Sequence, residues 1–502
     1  MRISRFFAGV PVLLVAMALA NSVTCAAGKT DGFAGASEEF CLSGEFNLAA
    51  RLQGLAPSGN EFYPARFCIV TKGGTGLVHF RGEGNGNADM ESSFAISYLP
   101  PDTIRIDTGR DAPDVVFEGA SPSFEAARNR RIDPRRLVEE LEAHPDYVIA
   151  DDGNGWLKVR YPGEMADTAV KVVEGRLQSV RTLADLPLRG RVPVNWNWLW
   201  PKHGDGEPSL EMVVDGALIL RAHAERRRLD AAESLALWQP EKDIAARRLP
   251  ADAWPASVNM QMETLTDGVH LVKGVRTGFN HLVVETGKGV VVADAPAGWV
   301  ELQQIPPADL VPGLGISGLS EQFIDFLGEQ LPGHALRAVV LTHAHDDHAG
   351  GARAFAAGGA KVFAPGEVAE FLSKALNRVE MPDDRLSESK SSVKVEPVHE
   401  RLVLEDSARQ VVLVPLGPNP HVTAALGVWV PEAGIFFQSD LHVPNSDAAT
   451  PRSDRALTEC WFAGWATGNL PEGTRVLNSH TAVQTPLSRL RDYTLSTTCS
   501  EL

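Results

Sequence analysis

Leu341-Thr342-His343-Ala344-His345-Asp346-Asp347-His348-Ala349-Gly350-Gly351 decides how the second half of this chain is read. An apolar run at 338–341 leads straight into three imidazoles and two carboxylates. A buried core tolerates that density of ionisable groups only with a compensating ion. His343 and His345 are two apart, so in extended chain they point to the same side and can grip one metal. Asp347 and His348 follow where the chain turns into a helix and can reach a second. Imidazole and carboxylate are the ligands of catalytic zinc, which keeps one position open for water. Gly350 and Gly351 let the helix start close behind the loop. The bland alternative is a solvated His/Asp-rich turn. On either side, residues 269–272, 281–285 and 290–293 read as strands, 320–330 as a helix, 338–341 as a short buried strand and 349–356 as the start of another helix. Strands alternating with helices indicate a layered α/β domain.

The H-x-H-x-D-H run resembles the metallo-β-lactamase superfamily, and the likeness extends over roughly residues 258–490. It implies an αββα four-layer sandwich carrying two zinc ions. It also assigns four more residues, each at the end of an apolar run. Asp294 closes the strand 290–293 and would support the ligand loop from behind. His421 follows 411–416 through Gly417-Pro418-Asn419-Pro420, Asp440 follows 434–439, and His480 follows 475–479. Carried over, His343, His345 and His421 hold the first metal. Asp347, His348 and His480 hold the second, and Asp440 bridges both. Two divalent ions ~3.5–4 Å apart share a water and lower its pKa toward ~7. Asp347 could orient that hydroxide or take its proton, and no serine or cysteine nucleophile is required. Pro420, Ser439 and Ser479 stand where glycine is frequent, so the pocket walls depart from the commoner pattern. A bridging Asp440 favours thioesters, lactones or other esters, and phosphodiesters as small-molecule substrates; β-lactam hydrolysis is the alternative. A rival reading is an envelope ligand-binding protein with a non-catalytic metal centre, which seven ligands disfavour because structural zinc sites close with four. Iron redox chemistry is disfavoured because His345 is a histidine.

Before this domain the pattern differs. Residues 147–150 and 156–161, 170–173 and 177–181, and 210–214 and 217–222 are β-rich pairs separated by Asp151-Asp152-Gly153-Asn154-Gly155, Glu174-Gly175 and Asp215-Gly216. Such turns predict hairpins, hence a largely antiparallel sheet over residues 39–228. One helix interrupts it, capped by Asp133 with Pro134 in the first turn and Leu137, Val138 and Leu141 at helical spacing. Trp196, Trp198 and Trp200 alternate and read as core packing rather than a ligand platform. His203 and His223 are isolated and need no function. Residues 229–257 read as a linker, helical at 231–237 and then broken by Pro240, Pro250 and Pro255. The remainder, 258–502, is the metallo-β-lactamase-like domain.

The 502 residues suggest two or three domains, with 44% hydrophobic and 22% charged residues typical of a globular protein. A formal charge of −17 argues against nucleic acid or anionic lipid as the main partner. Residues 1–20 read as a signal peptide: Arg2 and Arg5 precede an apolar run ending in Ala18-Leu19-Ala20. That run is short of the ~20 residues that span a bilayer, which leaves an uncleaved anchor as the alternative. No later stretch qualifies, so no integral span is expected in the mature chain. Residues 21–38 form a small, polar start containing Cys25, whose preceding Thr24 is large for a lipidation site. The expected location is periplasmic or secreted. In an oxidising compartment the simplest pairing of the other cysteines is Cys41–Cys68 and Cys460–Cys499, the alternative being buried thiols.

Overall fold

The computed structural model describes residues 37–46, 62–72, 78–83, 93–99, 103–107, 115–118, 133–160, 167–186, 188, 190–202, 206–230, 232–233, 247–250, 260–275, 279–297, 316–378, 384–404, 409–444, 450–451 and 455–500. The segment read as a signal peptide, Cys25, His203 and most of 229–257 lie outside them.

Fourteen strands between Ser37 and Pro250 form one sheet. Ser37–Phe46 lies near its centre, antiparallel both to Tyr63–Lys72 and to Ala217–Arg228. One meander runs from it through Val78–Glu83, Ser93–Leu99, Thr103–Asp107 and Val115–Glu118. The other returns from Ala217–Arg228 through Ser209–Val214, Gly190–Leu199, Arg176–Leu186, Thr168–Val173 and Trp156–Val159 to Val148–Asp151. The hairpin turns follow from their residues: Glu174-Gly175 and Asp215-Gly216 have φ of 52°, 70°, 51° and 80°. Positive φ at both central positions is the primed turn that matches strand twist. Asp133 caps the helix Pro134–Ala143 as expected, accepting from the amides of Arg135 and Arg136. Trp196 and Trp198 are buried in their strand, whereas Trp200 lies beyond its end and donates its indole N–H to the Leu177 carbonyl at 2.6 Å. His223 bonds Ser209 Oγ at the surface.

Two local readings are corrected. Ser37 and Glu38, placed in the polar start, already pair with Lys72 and Thr71. Arg247–Pro250, inside the stretch read as a linker, is a strand that pairs in parallel with Val115–Glu118. Four residues with no alternation carry no period to detect. Cys41 with Cys68, and Cys460 with Cys499, stand at disulfide distance.

Among the described residues, the strands from Gln261 onward form two mixed sheets. In the first, Gln261–Thr266, Val269–Lys273, Asn280–Thr286 and Gly289–Ala293 are antiparallel neighbours. Leu336–Val340, Lys361–Pro365 and Val395–Val398 then add in parallel. The second runs Leu402–Leu404, Val411–Pro415, Leu426–Val430, Ile435–Gln438, Arg475–Asn478 and Thr485–Pro486, with Ile435–Gln438 and Arg475–Asn478 parallel. The central strands of the first sheet are apolar on both faces, which explains their nearly unbroken hydrophobic runs. Val283, Val290, Val292 and Val339 pack with Leu319, Phe323 and Leu327 of the helix Gly318–Gln330 and with Leu372 of Gly366–Ala375. Leu282, Val284, Val291 and Val340 instead meet Leu413, Val428, Phe437 and Leu477 of the second sheet. The far face of that sheet, with Phe436 and Val476, packs on Phe462, Ala466 and Leu490 of the helices Ala456–Asn469 and Leu487–Thr494. Leu188, from the turn between Arg176–Leu186 and Gly190–Leu199, is buried in the first of these clusters. Among the described residues no helix is long and apolar enough to cross a membrane.

The segment read as one helix over 349–356 is two: Asp346–Ala349 and Ala352–Ala357, divided at Gly350-Gly351. At this break the chain passes close to its neighbours. A Cβ on Gly351 would overlap Ser320 Oγ and the Pro296 carbonyl oxygen, which are themselves bonded to each other. We expect Gly351→Ala to destabilise the fold by about 1–3 kcal/mol, the usual range for overpacking. Thermal unfolding beside wild type checks this, and an unchanged midpoint would refute the close-approach reading.

Candidate metal centre

The C-terminal ends of parallel strands from both sheets converge on one edge. Leu336–Val340 lies between Gly289–Ala293 and Lys361–Pro365, and the loop carrying His343, His345, Asp347 and His348 leaves its end. Asp440 and His480 follow the ends of Ile435–Gln438 and Arg475–Asn478. His421 lies in the loop between Val411–Pro415 and Leu426–Val430. Backbone bonds from Asn280 N to Ser479 O (2.7 Å) and from Leu426 N to Thr342 O (2.7 Å) tie the sheets together beside the site.

All seven expected residues meet there, in two groups. The ligand atoms of His343, His345, His421 and Asp440 lie within 4.8 Å of one another, as do those of Asp347, His348, Asp440 and His480. Asp440 belongs to both. Its Oδ2 lies 3.0 Å from His421 Nε2, 3.3 Å from His348 Nε2, 3.5 Å from His343 Nε2 and 3.8 Å from His345 Nδ1. Its Oδ1 contacts His480 Nε2. Phe279 walls the second group, its ring centroid 4.5 Å from His480 and 5.4 Å from His348.

Asp294 is fully buried and ties the ligand loop to the Asp440 turn. It accepts from Thr342 N (2.8 Å), His348 Nδ1 (2.9 Å) and Ser439 Oγ (2.6 Å). Asp294 and Asp440 both adopt left-handed backbone, with φ of 67° and 68°. Aspartate and asparagine tolerate that conformation better than other side chains with a Cβ. The Asp440 carbonyl also receives the buried Arg455 guanidinium.

The donor set fits divalent metal. His343 Nε2 and His348 Nε2 are buried and, among the described residues, no well-directed hydrogen bond reaches either. Their other nitrogens are engaged, with Thr342 Oγ1 (3.1 Å) and Asp294 (2.9 Å). An imidazole that gives Nδ1–H to a carboxylate presents its Nε2 lone pair, as a metal-ligating histidine does. Burial pushes His343, His345 and His421 down to about 4, so they are neutral and ligand-competent at neutral pH. Burial opposes charge on His348 too, but Asp347, Asp440 and Asp294 outweigh it and raise its pKa well above the ordinary value. Burial likewise works against ionised Asp347 and Asp440, yet the surrounding histidines hold both carboxyls low. The pocket thus carries excess negative charge in a desolvated place, which a dication offsets.

Sequence reasoning missed the groups that shape the turns. Asn419, Gln438 and Asn478 each stand two residues before a proposed ligand, a spacing that was readable. Buried His442, bonded to Thr485 Oγ1 at 3.0 Å, joins neither group.

Residues 317–474 match the model of the metallo-beta-lactamase superfamily. The metallo-beta-lactamase from Pontibacter korlensis is 16% identical, with 47% of this chain and 96% of that one covered at a TM-score of 0.34. The metallo-beta-lactamase from Hirschia baltica is 18% identical, with 48% and 96% covered at a TM-score of 0.33. The FIM-1 enzyme from Pseudomonas aeruginosa, in its mono-zinc form, is 16% identical, with 47% and 92% covered at a TM-score of 0.30. No curated protein matches the chain. Residues 317–474 are thus identified with the metallo-β-lactamase superfamily, and that match together with the His/Asp cluster supports a metal-dependent hydrolase.

Proposed function

We propose that this chain is an exported dinuclear zinc hydrolase acting on a small-molecule thioester, lactone or other ester, or phosphodiester. The observation that carries the reading is Asp440, the one side chain shared by both ligand groups. His343, His345 and His421 would hold one ion, Asp347, His348 and His480 the other, and Asp440 both. Zinc in such a pair polarises the electrophilic oxygen and lowers the pKa of bound water toward ~7. The protein's own part is positional and protonic. Asp294 fixes His348 through Nδ1 and the loop through Thr342 N. Asp347, whose Oδ2 lies 3.4 Å from His348 Nε2, would orient the attacking water or take its proton. Phe279 keeps one wall of the pocket apolar.

The architecture belongs to the same proposal: a four-layer αββα domain over 258–502, preceded by an antiparallel β domain over 39–228. The layering is supported by helices packed on the outer faces of two sheets that share an apolar interface. Export is supported by the two cysteine pairs at disulfide distance.

Elemental analysis of protein purified without chelator should give about two zinc ions per chain. A panel of thioester, lactone, phosphodiester and β-lactam substrates then orders the classes, with β-lactams expected last. One ion or none in native preparations would sink the dinuclear reading.

A further inference from the structure

Where a strand ends and the chain turns sharply, backbone N–H groups leave the ladder and need new acceptors. At all three turns that present His421, Asp440 and His480, the acceptor is a buried side-chain amide. Asn419 Oδ1 accepts from His421 N (3.0 Å) and Val422 N (2.9 Å). Gln438 Oε1 accepts from Leu441 N (3.0 Å) and His442 N (3.3 Å), the two amides that follow Asp440. Asn478 Oδ1 accepts from His480 N (2.7 Å) and Thr481 N (2.9 Å). Two of the amides are oriented by their own N–H groups, which donate from Asn419 to Gly417 O (3.1 Å) and from Gln438 to His442 O (2.8 Å). Gln438 and Asn478 are register partners on adjacent parallel strands, so the two turns they close lie side by side. All three residues are buried, at 7%, 0% and 1% exposure.

The geometry points to Asn419, Gln438 and Asn478 as positioning residues that fix His421, Asp440 and His480 before any metal arrives. A group held in place by folding need not be ordered by binding, so affinity rises without a new contact to the ion. Asn419 governs the half made by His343, His345 and His421. Asn478 governs the half made by Asp347, His348 and His480, and Gln438 acts on both through Asp440. This inference rests on the two-metal reading above.

The test titrates the full-length chain, stripped of metal, with zinc against a chromogenic chelator. Wild type is expected to take up about two equivalents. Asn419→Ala and Asn478→Ala should each weaken one equivalent by about 10- to 100-fold, the usual effect of removing a group that orients a ligand. The double variant should weaken both. Asn419→Asp and Asn478→Asp keep the acceptor oxygen and should restore most of the affinity, a rescue that a general packing role does not produce. If an alanine variant fails to fold, the serine variant, a shorter acceptor, takes its place with an intermediate loss expected. Alanine variants that titrate like wild type overturn the inference. So does one substitution that weakens both equivalents alike without rescue by aspartate. Wild type that binds no zinc overturns the reading of the centre and the inference with it.

Discussion

Asp440→Ala is expected to lower turnover by about a thousandfold while leaving the protein folded. Charge stabilisation at a metal centre is worth several kcal/mol, and each ~1.4 kcal/mol is a factor of ten in rate. Asp440 is where that loss should concentrate, because its carboxylate faces five histidines contributed by both ligand groups. Removing it takes the shared anion from both halves at once. Ile435–Gln438 keeps its pairing with Leu426–Val430 and Arg475–Asn478, so the strand ahead of the turn survives. Asp440→Asn separates charge from shape: asparagine tolerates the left-handed backbone that Asp440 adopts, but brings no negative charge. Both variants should lose activity, and the asparagine variant should be the more stable. Steady-state kinetics on whichever substrate the panel selects, with zinc content and circular dichroism in parallel, make the check. His223→Ala, at an exposed histidine that bonds Ser209 Oγ far from the ligand groups in sequence, serves as the silent control. Near-normal turnover in Asp440→Ala with two metals bound would remove the bridging assignment and move β-lactams up the order of substrates.

The centre was legible because its chemistry is concentrated and its order is fixed. A strand ending in H-x-H-x-D-H has few uses apart from metal binding. Asp294, His421, Asp440 and His480 then followed from a family pattern rather than from local physics, since each alone is an ordinary residue at a strand end. The hairpins of the first sheet were legible for a local reason: Glu174-Gly175 and Asp215-Gly216 occupy positive φ, which few residue pairs accept. Trp196 and Trp198 read correctly as packing because alternation fixes their face.

What was missed depends on tertiary context. Arg247–Pro250 is a strand only because Val115–Glu118 offers an edge more than a hundred residues earlier in the chain. The break at Gly350-Gly351 arises because Ser320 and Pro296 crowd that point, and neither is near it in sequence. Ser439 counted as a departure from the family pattern, yet its hydroxyl reaches Asp294 across 145 residues and joins the Asp440 turn to the His348 loop. Asn419, Gln438 and Asn478 were passed over for a different reason. An amide two residues before a histidine or aspartate is visible in the sequence, but its role shows only once the turn between them is seen closed.

The second large effect expected is on stability: Asp384→Ala should destabilise the fold by about 3–5 kcal/mol, as removal of one partner from a buried ion pair does. At roughly 2–4 °C per kcal/mol for a domain of this size, the midpoint should fall by about 10 °C. Arg353 leaves the ligand loop five residues after His348 and grips Asp384 through Nε (2.6 Å) and Nη2 (2.7 Å). Both side chains are 6% exposed. Ser317 Oγ (2.8 Å) and Ser387 N (2.9 Å) complete the carboxylate's shell, so one group joins the starts of two helices to the helix behind the metal loop. Burial alone would raise the Asp384 pKa, but Arg353 and the two serines outweigh it and hold the carboxyl below its ordinary value. Folding therefore favours the ionised form. Its contribution is complete above the unfolded carboxyl pKa of ~3.9 and is lost as pH falls through the lower folded value. The midpoint gap between wild type and Asp384→Asn should thus be constant near neutrality and begin to close below about pH 4. Acid loss of metal occurs in both proteins and largely cancels in the difference. A gap that stays constant into strong acid would show that the ionised carboxylate is not the source of the effect. Replacing both partners with apolar residues, as in Arg353→Leu with Asp384→Leu, should cost less than Asp384→Ala alone, because no charge is then left buried without its partner.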